Sequence, residues 1–326
     1  MNFSRRVILG SAFVAGFPAI AQAAFPDRPI RIIVPFAAGG NVDLQCRILA
    51  ERMGQLLKAS IVVENRTGAG GAIGAEVVAR SAPDGYTLLG GSNGPMTVSP
   101  ALRTDLSYDP IADFAPIALT SRVPMVLAIS KKLPVNTLQE FITHATANPT
   151  KITIASSGTG SSSHLVLLDF GLATKTSYVH VPYRGASATI PDLISGNVDA
   201  VVTEVSNISG AHTAGQVKIL GVAAAARSGL VPEVPTFAQA GLHDFIAFSF
   251  CGLLAPARTP AAVLQALHQA AATSLAAADI RKKFEDIGLE IPDPQDVAPD
   301  RFSAVLNREL AAARRIGASA RIQLNN

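Results

Sequence analysis

The sequence predicts an α/β protein of two lobes, each lobe a mostly parallel sheet flanked by helices. Three observations predict it. Short apolar runs alternate with helical patterns along the chain, Gly/Ser-rich turns follow several of those runs, and two apolar runs, Met125–Ile129 and Ile219–Ala224, bracket a block with its own alternation. The 326 residues also exceed a usual single core, which stops growing at roughly 250–300 residues.

The first 23 residues are set apart as an export signal: Arg5 and Arg6, the apolar stretch Val7–Ile20, then the small-residue pattern Ala21-Gln22-Ala23, with cleavage expected near Ala23. The stretch of 14 residues carries Gly10, Gly16 and Pro18 and is shorter than the ~20 apolar residues of a membrane span. Ser4-Arg5-Arg6-Val7-Ile8-Leu9 fits a twin-arginine signal, yet a basic leader needs only positive charge, so both export routes stay open.

After the leader, Ile30–Phe36 reads as a buried strand, Gly39-Gly40 as a tight turn and Asn41 to about Lys58 as a helix; Ile61–Glu64, Ala75–Arg80 and Tyr86–Leu89 continue as strand, helix, strand. The middle block runs helix Leu138–Ala147, strand Lys151–Ala155, helix Ser161–Ala173, strand Tyr178–Val181, helix Ala188–Ser195, strand Ala200–Thr203, helix Ile208–Ala214 and strand Lys218–Ala223. The bracketing runs read as two crossings between lobes, giving a first lobe of 24–124 plus 226–326 and a second lobe, 125–225, inserted into it. In the tail, Phe245–Leu254 reads as a strand. Helices follow at Pro260–Ala277, with Thr259 as N-cap and Pro260 in the first position, at Ile280–Asp286 before Gly288, and at about Arg301–Ile316.

Composition excludes several classes. Removing the leader takes Arg5 and Arg6 and no acid, so 27 basic against 24 acidic residues becomes 25 against 24. With no basic run and 6% aromatic residues, nothing points to nucleic acid. Cys46 and Cys251, the only cysteines, are too few for a disulfide scaffold or a cysteine metal site. One bridge between them and two buried thiols both remain open.

Three turns follow predicted strands: Pro35–Asn41, Gly90–Gly94 and Ser156–Ser162. In open α/β sheets ligands bind at the carboxyl ends of strands, where glycines admit backbone N–H groups and helix N-termini favour anions. None of the three holds Lys or Arg, which favours a small carboxylate over a polyphosphate. Gly90-Gly91-Ser92-Asn93-Gly94 also has the form of a nucleophile elbow, so a serine hydrolase is the rival from another class; Pro95 and Pro100 leave room for only one helical turn after Ser92. Gly68–Gly74 has Ile73 where a dinucleotide loop needs its last glycine. His164 has no second metal ligand at suitable spacing, and Asp43 complements its helix N-terminus. No cofactor or metal is expected.

Eight blocks in order carry a resemblance: Pro35–Asp43, Val63–Arg66, Gly68–Gly74, Ala82–Leu88, Ser156–His164, Val179–Gly185, Gly196–Asp199 and Gly252–Pro256. Together they resemble the Bug/TctC family of periplasmic receptors of tripartite tricarboxylate transporters. The resemblance implies the two-lobe periplasmic-binding-protein (Venus flytrap) fold and a monomeric solute-binding protein of the periplasm that closes on a small organic carboxylate and passes it to the membrane components of such a transporter. A receptor feeding a signalling sensor would share the same cleft. Carried onto this sequence, the resemblance implies ligand contacts from Phe36, Ala38, Gly39 and Asn41 in one lobe and from Ser157, Gly158, Gly160, Ser161 and Ser162 in the other, with Ser92 and Asn93 bordering the cleft. Thr67, Thr203-Glu204 and Phe250-Cys251 depart from the family pattern. Glu204, expected at the end of its strand, either opens toward the cleft and selects a ligand carrying a hydrogen-bond donor or turns out to solvent.

Overall fold

The computed structural model describes residues 25–320; the expected export signal and its cleavage point lie outside them. Nineteen strands and α-helices run in the order β1 (Ile30–Val34), α1 (Asn41–Leu57), β2 (Ile61–Asn65), α2 (Ala72–Ala79), β3 (Thr87–Ser92), α3 (Ser99–Leu102), β4 (Phe114–Ser130), α4 (Leu138–Ala147), β5 (Thr153–Ser156), α5 (Ser162–Thr174), β6 (Val179–Pro182), α6 (Ile190–Ser195), β7 (Ala200–Glu204), α7 (Val205–Thr213), β8 (Val217–Val222), β9 (Phe248–Pro256), α8 (Ala261–Ala276), α9 (Ala278–Asp286) and α10 (Pro299–Ala320).

Ile30, Ile32, Ile33 and Val34 are fully buried, as an apolar run covered by helices on both faces requires. In the first lobe β2, β1 and β3 are parallel, and β9 and then β4 join antiparallel. In the second, β6, β5 and β7 are parallel, and β4 is antiparallel to both β7 and β8. The parallel strands of each lobe are thus joined through antiparallel pairs at β4, β8 and β9.

One strand makes the first crossing. β4 is 17 residues long: Phe114–Pro124 pairs with β9 and Met125–Ser130 with β7 and β8. Its apolar residues read on the sequence as a run beginning at Met125 because Arg122 and Pro124 interrupt the pattern. At Met125 three segments meet: Met125 N–H donates to the Ala247 carbonyl at 2.9 Å, its own carbonyl accepts from Ala223 N–H at 2.8 Å, and Ala247 N–H donates to Ala223 at 2.8 Å. After Ala247 the chain enters β9, and before it Phe237 and Phe245 pack with Phe141 and Phe170 in one buried cluster.

The tail completes the first lobe, but α10 also packs on α5 of the second. Thr259 does not cap α8: its hydroxyl donates back to the Pro256 carbonyl at 2.7 Å, and Pro260 takes the N-cap position.

Candidate functional site

The first turn is fixed from behind by Asp43, a buried carboxylate in the first turn of α1. Its Oδ2 accepts from the Gly39 N–H and from Arg47 Nε, each at 2.9 Å, and its Oδ1 accepts from Asn65 Nδ2 at 2.9 Å. Asn65 Nδ2 also donates to the Phe36 carbonyl at 2.9 Å, so the end of β2 grips the turn that ends β1. Burial works against the charged Asp43, but the bonds from Arg47, Gly39 and Asn65 outweigh it and hold its carboxyl below the ordinary value. Phe36 is half-buried and Ala37–Gly40 are exposed. No side chain caps the N-terminus of α1, which leaves its partial positive charge facing out of the turn. The Gly39 N–H, expected to meet a ligand, is held by Asp43.

The second turn differs from its sequence reading. Gly90, Gly91 and Ser92 are strand residues paired with β9, and Ser92 is buried opposite Cys251. Asn93 Oδ1 accepts from the Phe250 N–H at 2.7 Å, so this side chain ties the end of β3 to β9. Gly94–Val98 makes a single wide helical turn before α3, so Ser92 lacks the long helix of a nucleophile elbow. His164 and His180 are engaged with each other, His212 with Glu233 and His268 with the Ile117 carbonyl.

Beside the first turn lies the loop set aside as a failed dinucleotide motif. A methyl group on Gly71 would stand 3.2 Å from Phe36 Cζ, one on Gly94 would stand 2.5 Å from the Gly70 carbonyl oxygen, and one on Gly70 would stand 3.3 Å from the Gly160 carbonyl oxygen of the second lobe. Phe36, Gly70, Gly71, Gly94 and Gly160 thus converge. Ser99 Oγ, 3.1 Å from that Gly70 methyl position, is buried and has no hydrogen-bond partner among the described residues. The sequence signal was present: glycines between a strand and a helix, the same context as the first turn.

The third turn is a hydroxyl network at the N-terminus of α5. Ser163 Oγ accepts from the Ser157 N–H at 2.9 Å and contacts Ser157 Oγ at 2.8 Å and Ser161 Oγ at 3.1 Å; Ser161 Oγ donates to the Gly158 carbonyl at 2.6 Å and accepts from the His164 N–H at 3.2 Å. Gly158 holds φ 130°, and a side chain there would meet the Tyr183 carbonyl at 2.8 Å, so only glycine fits. Behind the network His164 stacks on His180 at 4.3 Å, accepts from the Gly160 N–H at 3.3 Å, and is pushed down to about 4 by burial and then by His180. His180 Nε2 lies 2.7 Å from Ser156 Oγ. Ser157, Gly158, Ser161 and Ser162 keep accessible surface, whereas Gly160 is buried. Ser163, His164 and His180, absent from the sequence expectations as ligand-side groups, hold this turn as Asp43 and Asn65 hold the first.

Two contacts lie near the junction of the lobes. Asn41 Nδ2 donates to Ser206 Oγ of α7 at 2.9 Å, so this predicted ligand residue reaches across to the second lobe. Glu204, the last residue of β7, accepts from Asn207 Nδ2 at 2.5 Å and from the Ser249 hydroxyl of β9. Burial raises its pKa, against those bonds. A carboxyl with a raised folded pKa lowers stability above that value and stops doing so below the unfolded 4.5. Glu204→Gln, which keeps an acceptor, is therefore expected to melt higher than the parent at pH 7–8, with the difference vanishing on acidification toward 4.5; paired melts across that range check it.

Among the described residues no helix is long and apolar enough to cross a membrane, and no group of three or more His, Cys, Asp and Glu could hold a metal.

Residues 45–316 match the family model described as tripartite tricarboxylate transporter family receptor. Among solved structures, MatC from Rhodopseudomonas palustris with bound malate is similar at a TM-score of 0.83 and 33% identity, over 90% of this chain and 99% of that one. A second R. palustris protein, with adipate, gives 0.83 and 30% identity over 92% and 99%. The periplasmic binding protein BugD gives 0.83 and 31% over the same shares. The family match spans most of the chain, which belongs to the Bug/TctC family of tripartite tricarboxylate transporter receptors, with the periplasmic-binding-protein fold.

Proposed function

We propose that this protein is an exported receptor of the periplasm that closes its two lobes around one small organic carboxylate, performs no chemistry on it, and delivers it to the membrane components of a tripartite tricarboxylate transporter. The observation that carries the reading is the approach of Gly70, in the loop whose Gly71 lies against Phe36 of the first turn, to Gly160 of the third turn. Helices of 17 and 13 residues begin at those turns, and their N-termini favour negative charge without a lysine or arginine in either turn. The malate and adipate of the two R. palustris relatives are ligands of the same class.

In this reading the lobes are 25–124 with 248–320, and 125–247. Phe36 packs on the ligand, the serines of the third turn and Ser99 supply hydroxyl donors, and Glu204 faces the ligand end remote from its carboxylate. The test is a thermal-shift screen over mono-, di- and tricarboxylates, acidic amino acids and aromatic acids. A ligand at 100 times its Kd adds about 2.7 kcal/mol to folding and raises the melting temperature. At least one carboxylate is expected to do so and to be recovered unchanged. Turnover of an activated ester, abolished by Ser92→Ala, would instead establish the hydrolase.

The bond between Asn41 and Ser206 exists only with the lobes together, so it favours the closed form. Ser206→Ala is expected to weaken carboxylate binding about fivefold, ~1 kcal/mol for one neutral hydrogen bond, with the loss in the dissociation rate; stopped-flow release measures it.

A further inference from the structure

Cys46 and Cys251 are the only cysteines in 326 residues, and 205 positions separate them in the chain. The fold nevertheless brings them together. Cys46 lies on the face of α1 that packs on the first-lobe sheet, and Cys251 lies in β9, both buried at 1% and 2% exposure. Gly90 makes room: a methyl group there would stand 2.7 Å from Cys46 Sγ, so this sulfur rests directly on β3, and β3 pairs Ser92 with Cys251 on the adjoining strand. Gln45, the residue before Cys46, reaches the same neighbourhood. Its Oε1 accepts from Thr120 and Ser121 at 2.8 and 2.9 Å, Thr120 also bonds the Cys251 carbonyl at 3.0 Å, and Ser121 pairs with Cys251 in the β4–β9 register. Cys46 and Cys251 are both buried free thiols in this structure.

We propose that Cys46 and Cys251 form a disulfide site that stitches α1 to the crossing strand β9. A sparse pair of cysteines, distant in sequence and buried on adjoining elements of one core, has the placement of a bridge in a chain that folds in an oxidising compartment. The inference rests on the reading of the chain as exported and on nothing about its ligand. In the reaction the two thiols give up two protons and two electrons to a small-molecule or protein disulfide, which leaves as two thiols while one S–S bond forms. The contact with Cys251 and then burial push the Cys46 thiol well above its ordinary value, so attack by thiolate is slow once the core has closed. The bond therefore forms during folding. It closes a long loop, the case in which a crosslink constrains the unfolded chain most. It also fixes the helix that presents Asn41 and Asp43 against the strand that returns through the hinge.

The test is refolding of the full reduced chain in a glutathione and glutathione-disulfide buffer, followed by denaturation in excess alkylating reagent without reductant and intact-mass measurement. The expected product is a monomer two hydrogens lighter than the reduced chain, with no alkyl or glutathione adduct. It should melt on the order of 5 °C higher than the same protein after reduction. Cys251→Ala, refolded alongside, should take one adduct and so confirms detection. Two alkyl adducts, a glutathione adduct on either cysteine or a disulfide-linked dimer in the parent protein would overturn the proposal. Fractionation of producing cells tests the export reading separately and leaves the pairing result unchanged.

Discussion

Gly94→Ala is expected to weaken carboxylate binding by about 100-fold, ~2.8 kcal/mol, while lowering stability less. The added methyl would stand 2.5 Å from the Gly70 carbonyl oxygen and 3.3 Å from Phe36 Cζ, and Gly94 is buried. Something must move, and the fixed side is the Gly94 backbone: the preceding Asn93 is anchored to Phe250 and Thr97 Oγ1 bonds the Asn93 carbonyl at 2.9 Å. The strain therefore transfers to the loop around Gly70 and to the Phe36 ring, the pieces that meet the second lobe at Gly160. Titration calorimetry with a carboxylate from the thermal-shift screen measures the loss, and a melt of the free protein separates it from unfolding. Unchanged affinity in a folded variant would remove this loop from the site.

Asp43→Ala is expected to reduce affinity about thirtyfold, ~2 kcal/mol, because the Gly39 N–H and Asn65 lose a charged acceptor and the turn they hold relaxes. Arg47 stays in water at 48% side-chain exposure, so its stranding adds little. The pH dependence has a definite sign. Asp43 has a depressed folded pKa, so its stabilisation is full above the unfolded 3.8 and is lost as pH falls through the folded value. The gap in melting temperature between the parent and Asp43→Asn should thus stay constant from pH 8 to about 5 and close only in stronger acid. A gap that closes near neutrality would show that another group holds the turn.

These two residues mark where the sequence was legible and where it was not. β1, the first turn and α1 could be read because an apolar run, paired glycines and a helical pattern with an acid in its first turn agree at every level. Asp43 was legible as a helix-terminal acid, but its bond to Asn65 depends on the parallel pairing of β1 with β2, which local pattern does not encode. Gly70 read as part of an incomplete dinucleotide loop and Gly94 as part of a ligand turn, and their closeness to each other is a tertiary fact that local pattern does not carry. Ser92 and Asn93 were placed on an open turn because Gly-Gly suggests one, yet pairing with β9 draws Gly90–Ser92 into the strand. The same kind of long-range contact places residues 226–247, which carry no regular periodicity: Phe237 and Phe245 find their partners only in the core around Phe170.

Small-angle X-ray scattering of the protein with and without a saturating carboxylate tests capture by closure most directly. Contacts such as Asn41 to Ser206 and Gly70 against Gly160 belong to lobes already together, so the saturated protein should scatter as this structure does. The free protein should have a larger radius of gyration that falls to the same value as ligand is added. Identical curves for free and saturated protein, with binding verified in the same samples, would contradict closure around the ligand.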